Sequence, residues 1–196
     1  MAAAELFVRT KIMRSGWCAG LMAALVLAAS AQADEEVINY VAYDETFSSG
    51  GGVTAQALER LRDAGLERVI FLAYSDQEQS LANEDRVVDK LGMDFVHIPV
   101  RWDAPDANHF GLFAAIIQQA PERPTLVHCQ ANFRASAFAM LYRVIYDDVP
   151  LAEAKADMNA VWTPDETWTN FMLRVLRSNG VDPDCKGCDW TPATYE

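Results

Sequence analysis

The chain has 196 residues, 51% of them hydrophobic, and a formal net charge of −12. That length supports one ordinary domain with a core of its own. The acidity works against nucleic acid and anionic membrane surfaces as partners and makes a polyanion hard to admit.

Residues 1–33 read as a secretory signal ahead of that domain. Arg9, Lys11 and Arg14 precede the apolar run GLMAALVLAASA at 20–31, and Ala31-Gln32-Ala33 offers the small residues a signal peptidase needs. Cleavage after Ala33 implies a periplasmic or secreted protein. The run is too short for a comfortable span, so no stable membrane insertion is expected after cleavage. Removing residues 1–33 takes away Glu5 and the three basic residues and carries the net charge to −14. Cys129, Cys185 and Cys188 remain. In an oxidising compartment Cys185 and Cys188 are expected to pair, which leaves Cys129 as a candidate reactive thiol. The expected organisation is a signal at 1–33, an α/β domain at 34–180 and a C-terminal tail at 181–196 carrying CKGC.

In chain order, VINYVAY at 37–43 predicts a first strand, ended by the flexible FSSGGG. A helix follows over Val53–Leu66, with Thr54 as cap and Gly65 as stop. RVIFLAY at 68–74 predicts a buried strand, Glu78–Leu91 a polar helix ended by Gly92, and DFVHIPV at 94–100 another strand. After the loop RWDAPDAN comes a helix over Asn108–Gln119, then the strand TLVHC. Ala135–Tyr146 reads as a helix buried on all sides, and Leu151–Asn159 as a short one. The last helix opens on Thr163-Pro164-Asp165-Glu166, with Thr163 as N-cap and Glu166 closing a capping box, and runs to Ser178 before Asn179-Gly180. Alternating strands and helices predict an α/β three-layer sandwich: a mostly parallel central sheet of four to five strands flanked by helices. Ligands of such sheets bind beyond the carboxyl ends of the strands, and HCQANFRAS at 128–136 lies at one.

A tight loop leading into a helix N-terminus converges backbone N–H groups on one point, and the helix dipole adds positive potential. That field favours the thiolate form of a cysteine at its mouth. The amides of Gln130, Ala131, Asn132 and Phe133 are the expected cradle for an anion. Arg134 is placed to clamp two of its oxygens. Asn132 tolerates the left-handed conformation the turn demands. His128 is expected to bond backbone and orient the loop, with a part in tuning the thiolate left open.

The segment resembles the active-site loop of the cysteine-dependent phosphatases, the tyrosine and dual-specificity group, whose signature is His-Cys, five residues, Arg and then Ser or Thr. Here four residues separate Cys129 from Arg134, Asn132 stands where a glycine is usual, and Ala135 follows the arginine, with Ser136 one position late. The shorter spacing is similar to the bacterial β-lactamase-hydrolase-like phosphatase domains, a resemblance that extends over roughly residues 38–175. It implies a phosphatase-like fold and hydrolysis of a phosphomonoester, on a small molecule or a protein side chain, through a thiophosphate on Cys129. It implies no cofactor and no metal. It also calls for an acid upstream of the cysteine to protonate the leaving oxygen. Asp103 is the first candidate, Asp106 a reserve and His109 a further one; Asp165, downstream of the cysteine, is a second reserve because low-molecular-weight phosphatases carry their acid after the loop. Trp102 and Phe133 are the aromatic candidates for the pocket wall. Rhodanese-type sulfurtransferases share the four-residue spacing, so sulfur transfer, or an anion-binding module with little turnover, stays open at this point.

Overall fold

The computed structural model describes residues 37–77 and 79–194; the expected signal segment lies outside them. Five strands form one sheet: β1 (Val41–Ala42), β2 (Phe47–Gly50), β3 (Arg68–Phe71), β4 (Asp94–His97) and β5 (Thr125–His128). Their order is β1-β2-β5-β3-β4, with β1 antiparallel to β2 and the other pairs parallel. The helices are α1 (Ala55–Asp63), α2 (Glu84–Lys90), α3 (Ala107–Gln118), α4 (Phe133–Tyr146), α5 (Leu151–Val161) and α6 (Glu166–Ser178). The α/β class and the mostly parallel sheet agree with the sequence reading.

Two cores hold the layers together. On one face Ala57, Leu58 and Leu61 of α1 and Val88 of α2 pack on Val69 and Leu126 of the sheet. On the other, Phe113 of α3, Phe138 and Leu141 of α4, Met158 of α5 and Trp168 and Phe171 of α6 form the larger cluster. The helix α4 is buried from Arg134 to Arg143 because it runs between the sheet and other helices. Ala135, Ala137 and Ala139 allow the close approach, and the larger residues between them fill the gaps.

Three expectations shift. Of VINYVAY only Val41–Ala42 pairs, and the strand beside β5 is FSSG itself. Serine and glycine are poor strand formers in isolation. Here glycine suits a close approach: a Cβ on Gly50 would run into the Val37 side chain, and one on Gly51, just past the strand, would lie 2.7 Å from the Gln130 carbonyl oxygen. The second helix begins at Glu84, not Glu78, because Asn83 sits in the left-handed region (φ 54°) and interrupts any longer helix. The last helix is capped by Asp165, whose Oδ1 accepts from the Trp168 N–H at 2.9 Å, so Thr163 is not the N-cap and Glu166 is the first helical residue. Aspartate caps as well as threonine, and the carboxylate stood closer to the start of the turn.

The residues after α6 are tied down. Cys185 and Cys188 form a disulfide. The Trp190 indole N–H donates to the Pro183 carbonyl (3.0 Å), and Lys155 of α5 lies 4.7 Å from the Trp190 ring centre. The Ala193 N–H donates to the Pro164 carbonyl (2.9 Å).

Candidate active site

The central strand β5 carries the loop. Its last residue, His128, is in register with Gly50 of β2 and Phe71 of β3, so the Cys129–Asn132 turn emerges between two neighbouring strand ends. The turn is pinned by backbone. The Cys129 N–H donates to the Gly50 carbonyl (3.1 Å), and the Gln130 carbonyl accepts from Gly52 N–H (2.8 Å). Asn39 and Asn132 exchange amide bonds with this backbone: Asn39 Nδ2 donates to the Ala131 carbonyl (3.1 Å) and Asn132 Nδ2 to the Asn39 carbonyl (2.5 Å).

Asn132 stands at φ 66°, the left-handed turn expected of it. It is the N-cap residue of α4, yet its side chain makes no capping bond. By contrast α1, α3 and α6 are capped by Thr54, Asp106 and Asp165. The first-turn amides of α4 thus have no side-chain acceptor, which is the electrostatic condition for receiving an anion there.

Cys129 and Arg134 line one cavity of about 610 Å³, together with Gln130, Ala131 and Phe133 of the loop. Ile38, Trp102 and two residues the sequence did not flag, Gln77 and Gln79, complete it. Arg134 is 5% exposed; its Nη1 donates to Gln130 Oε1 (3.4 Å) and its Nε, also buried, has no hydrogen-bond partner among the described residues. A buried cationic donor left unpaired costs more than a paired one, so an oxyanion in the cavity gains the difference. The guanidinium carbon lies 5.4 Å from the ring centre of Trp102, which lines the same cavity.

The cavity wall is an aromatic cluster. Phe133 stacks on Trp162 at 4.8 Å and 6°. Trp102 contacts both Trp162 and Trp168, and the Trp168 indole N–H donates to the Trp102 carbonyl (3.0 Å). Trp162 therefore packs against Phe133 of the loop and Trp102 of the cavity wall. Ser136 belongs to this cluster: its Oγ accepts from the Trp162 indole N–H (3.1 Å) and donates to the Phe133 carbonyl (3.2 Å). Its hydroxyl is committed to these partners rather than to Cys129.

His128 is buried beneath the loop. Nδ1 lies 3.3 Å from the Gly51 carbonyl, as a backbone-orienting role requires. Nε2 lies 2.7 Å from Glu84 Oε1, a buried carboxylate that the sequence reading missed because nothing in the polar 78–91 run distinguishes it from solvated neighbours.

None of the expected acids lines this cavity. Asp103 is exposed and bound by Arg101 at 2.7 Å and 3.1 Å; that hydrogen bond holds its carboxyl below the usual range. Asp106 caps α3 through the Asn108 N–H, which lowers it likewise. Asp165 caps α6. His109, in the first turn of α3, is also outside the cavity wall. The structure thus brings together Cys129, the 130–134 loop, Trp102 and Arg134, and leaves Asp103, Asp106 and Asp165 in local structural bonds. Among the described residues no group of three His, Cys, Asp or Glu is arranged to hold a metal.

Comparison with known proteins gives the same loop a family. A family model described as "DSP-PTPase phosphatase fused to NAD+ Kinase" matches residues 22–169. Two structures of a "Putative phosphatase (DUF442)" from Shewanella putrefaciens CN-32 resemble the chain. One has 29% identity and a TM-score of 0.66, covering 74% of this chain and 92% of that one. The other has 28% identity and a TM-score of 0.68, covering 76% and 97%. At 20% identity, where only the fold is comparable, TpbA of P. aeruginosa in complex with pTyr has a TM-score of 0.52, covering 62% of this chain and 72% of that one. No curated protein sequence matches. The chain belongs to the family of protein-tyrosine-phosphatase-like domains described as DSP-PTPase phosphatase fused to NAD+ kinase.

Proposed function

We propose that the chain is an exported, cysteine-dependent phosphatase that hydrolyses a phosphomonoester. The observation that carries the reading is the placement of Cys129 and Arg134 in one cavity at the uncapped N-terminus of α4. The Cys129 thiolate attacks phosphorus, the bond to the ester oxygen breaks, and the released alkoxide or phenoxide takes a proton from water. Water then attacks the thiophosphate, giving inorganic phosphate and a proton and regenerating the thiolate. The amides of residues 130–134 and the Arg134 guanidinium bind the equatorial oxygens, where charge is spread in the transition state. Asp103 is omitted from this scheme because Arg101 holds it ionised outside the cavity.

The aromatic walls at Trp102 and Phe133 suit an aryl ester, so a phosphorylated aromatic side chain or small aryl phosphate is the favoured substrate. Nothing in the comparisons favours sulfur transfer. Export is supported by the basic residues, apolar run and Ala31-Gln32-Ala33 of the sequence, and by the disulfide, which belongs to an oxidising compartment.

The test is hydrolysis of a generic aryl phosphate by residues 34–196 across pH 5–8, beside Cys129→Ser. Turnover that falls by about a thousandfold or more in the variant supports the scheme. Turnover that survives the substitution contradicts it.

A further inference from the structure

The cavity over Cys129 is larger than a phosphate needs. At about 610 Å³ it falls in the range, roughly 300–1,000 Å³, that takes a molecule of drug size. Cys129, Arg134 and the loop amides account for the phosphoryl end. The rest of the lining, Ile38, Trp102, Phe133, Gln77 and Gln79, is left for the leaving group.

Gln77 and Gln79 sit in the loop after β3, and that loop is tied down. The Ser80 N–H donates to the Gln77 carbonyl (2.9 Å), and Ser80 Oγ donates to the Tyr74 carbonyl (2.9 Å). The Gln79 carbonyl packs against Gly52, where a Cβ would lie 3.0 Å from it. Gly52 in turn donates its N–H to the Gln130 carbonyl (2.8 Å), so the backbone of the two glutamines is held against the loop of the nucleophile.

Both side chains are uncharged. Among the described residues Arg134 is the only cation in the lining, and the phosphoryl group takes it up. Arg101, beside Trp102 in the chain, lies outside the lining and is paired with Asp103 at 2.7 Å. A second anionic group on the substrate would lose water and find no positive partner, in a chain of net charge −12. A hydrogen-bond donor on the substrate meets the opposite situation. Gln77 Oε1 is buried with no hydrogen-bond partner among the described residues, and an O–H or N–H of the leaving group would satisfy it.

We propose that Gln77 and Gln79 are specificity-determining residues. They select a phosphomonoester whose leaving group is uncharged and carries a hydrogen-bond donor, such as a phenol bearing a hydroxyl or an amide, over one with a second anionic group. This rests on the reading of the cavity as a phosphomonoester site and names its substrate class more closely.

Two probes of nearly equal shape test it: para-carbamoylphenyl phosphate and para-carboxyphenyl phosphate, with phenyl phosphate as reference. Equilibrium titration into Cys129→Ser measures selectivity apart from catalysis. The carbamoyl ester is expected to bind more tightly than phenyl phosphate, and the carboxyl ester at least about tenfold more weakly than the carbamoyl one. Gln79 is exposed, and Gln79→Lys, which adds an ammonium group to the lining, is expected to cut that ratio by about tenfold. Gln77→Met, of similar length but without the acceptor, is expected to bring the carbamoyl ester down to the level of phenyl phosphate. Glutamines with a purely structural role would shift all three esters together and leave the ratios where they are. Ratios unmoved in both variants, a carbamoyl ester no tighter than phenyl phosphate, a carboxyl ester as tight as the carbamoyl one, or no binding by any of the three overturns the proposal. The phosphatase reading is judged separately, by turnover of phenyl phosphate in the unsubstituted protein and its loss in Cys129→Ser.

Discussion

The two loops at the carboxyl ends of β5 and β4 differ in how their polar groups are used. In the Cys129–Asn132 turn the backbone carbonyls are spent on Gly52 and Asn39, while the helix amides beyond it and the Arg134 Nε have no side-chain partners among the described residues. In the 101–108 loop every carboxylate is spent: Asp103 on Arg101 and Asp106 on the start of α3. The first loop is assembled to receive an anion; the second closes on itself, and contributes Trp102 to the cavity rather than an acid. A short acidic loop beside a nucleophile is therefore weak ground for naming a general acid, because capping and local ion pairs consume the same residues.

That contrast can be broken in graded steps. Replacing Arg134 by Lys keeps the charge but loses the fork that reaches both Gln130 and the cavity, and is expected to lower kcat/KM by about 10²–10³. Inorganic phosphate affinity should fall with it, which equilibrium titration would show. Asn132→Ala tests the turn itself. An alanine at φ 66° costs about 1–2 kcal/mol and forfeits the bond to the Asn39 carbonyl, so the urea midpoint should drop while the slope is unchanged. The smallest effect belongs to the other loop. Asp103→Asn is expected to leave turnover within about threefold, against the 10²–10⁴ a general acid supplies. Since Arg101 depresses the Asp103 carboxyl, it is already ionised across pH 5–8, and the substitution should leave the pH–rate profile unmoved. A steep loss there would return Asp103 to the mechanism.

Much of this was legible in the sequence where local chemistry has few solutions. Thr54 caps α1 as expected, Asn132 takes the left-handed turn, and the strand before Cys129 lies inside a mostly parallel sheet. What stayed hidden depends on partners distant along the chain. Phe47–Gly50 is a strand because β1 and β5 pair with it on either side, not because its residues favour strand. Glu84 is buried because α2 starts late enough to turn it under His128, forty-four positions away. The cap of α6 was read two residues early because threonine and aspartate offer the backbone the same bond, and only the three-dimensional path chooses between them.

The central claim is that Cys129 itself carries the phosphoryl group. Acid-quenching the protein during turnover of an aryl phosphate, followed by mass spectrometry of the Cys129 peptide, tests it most directly. The account predicts one phosphoryl group on Cys129, present in the first turnovers and absent from Cys129→Ser. Product formed at full rate with Cys129 unmodified would contradict it.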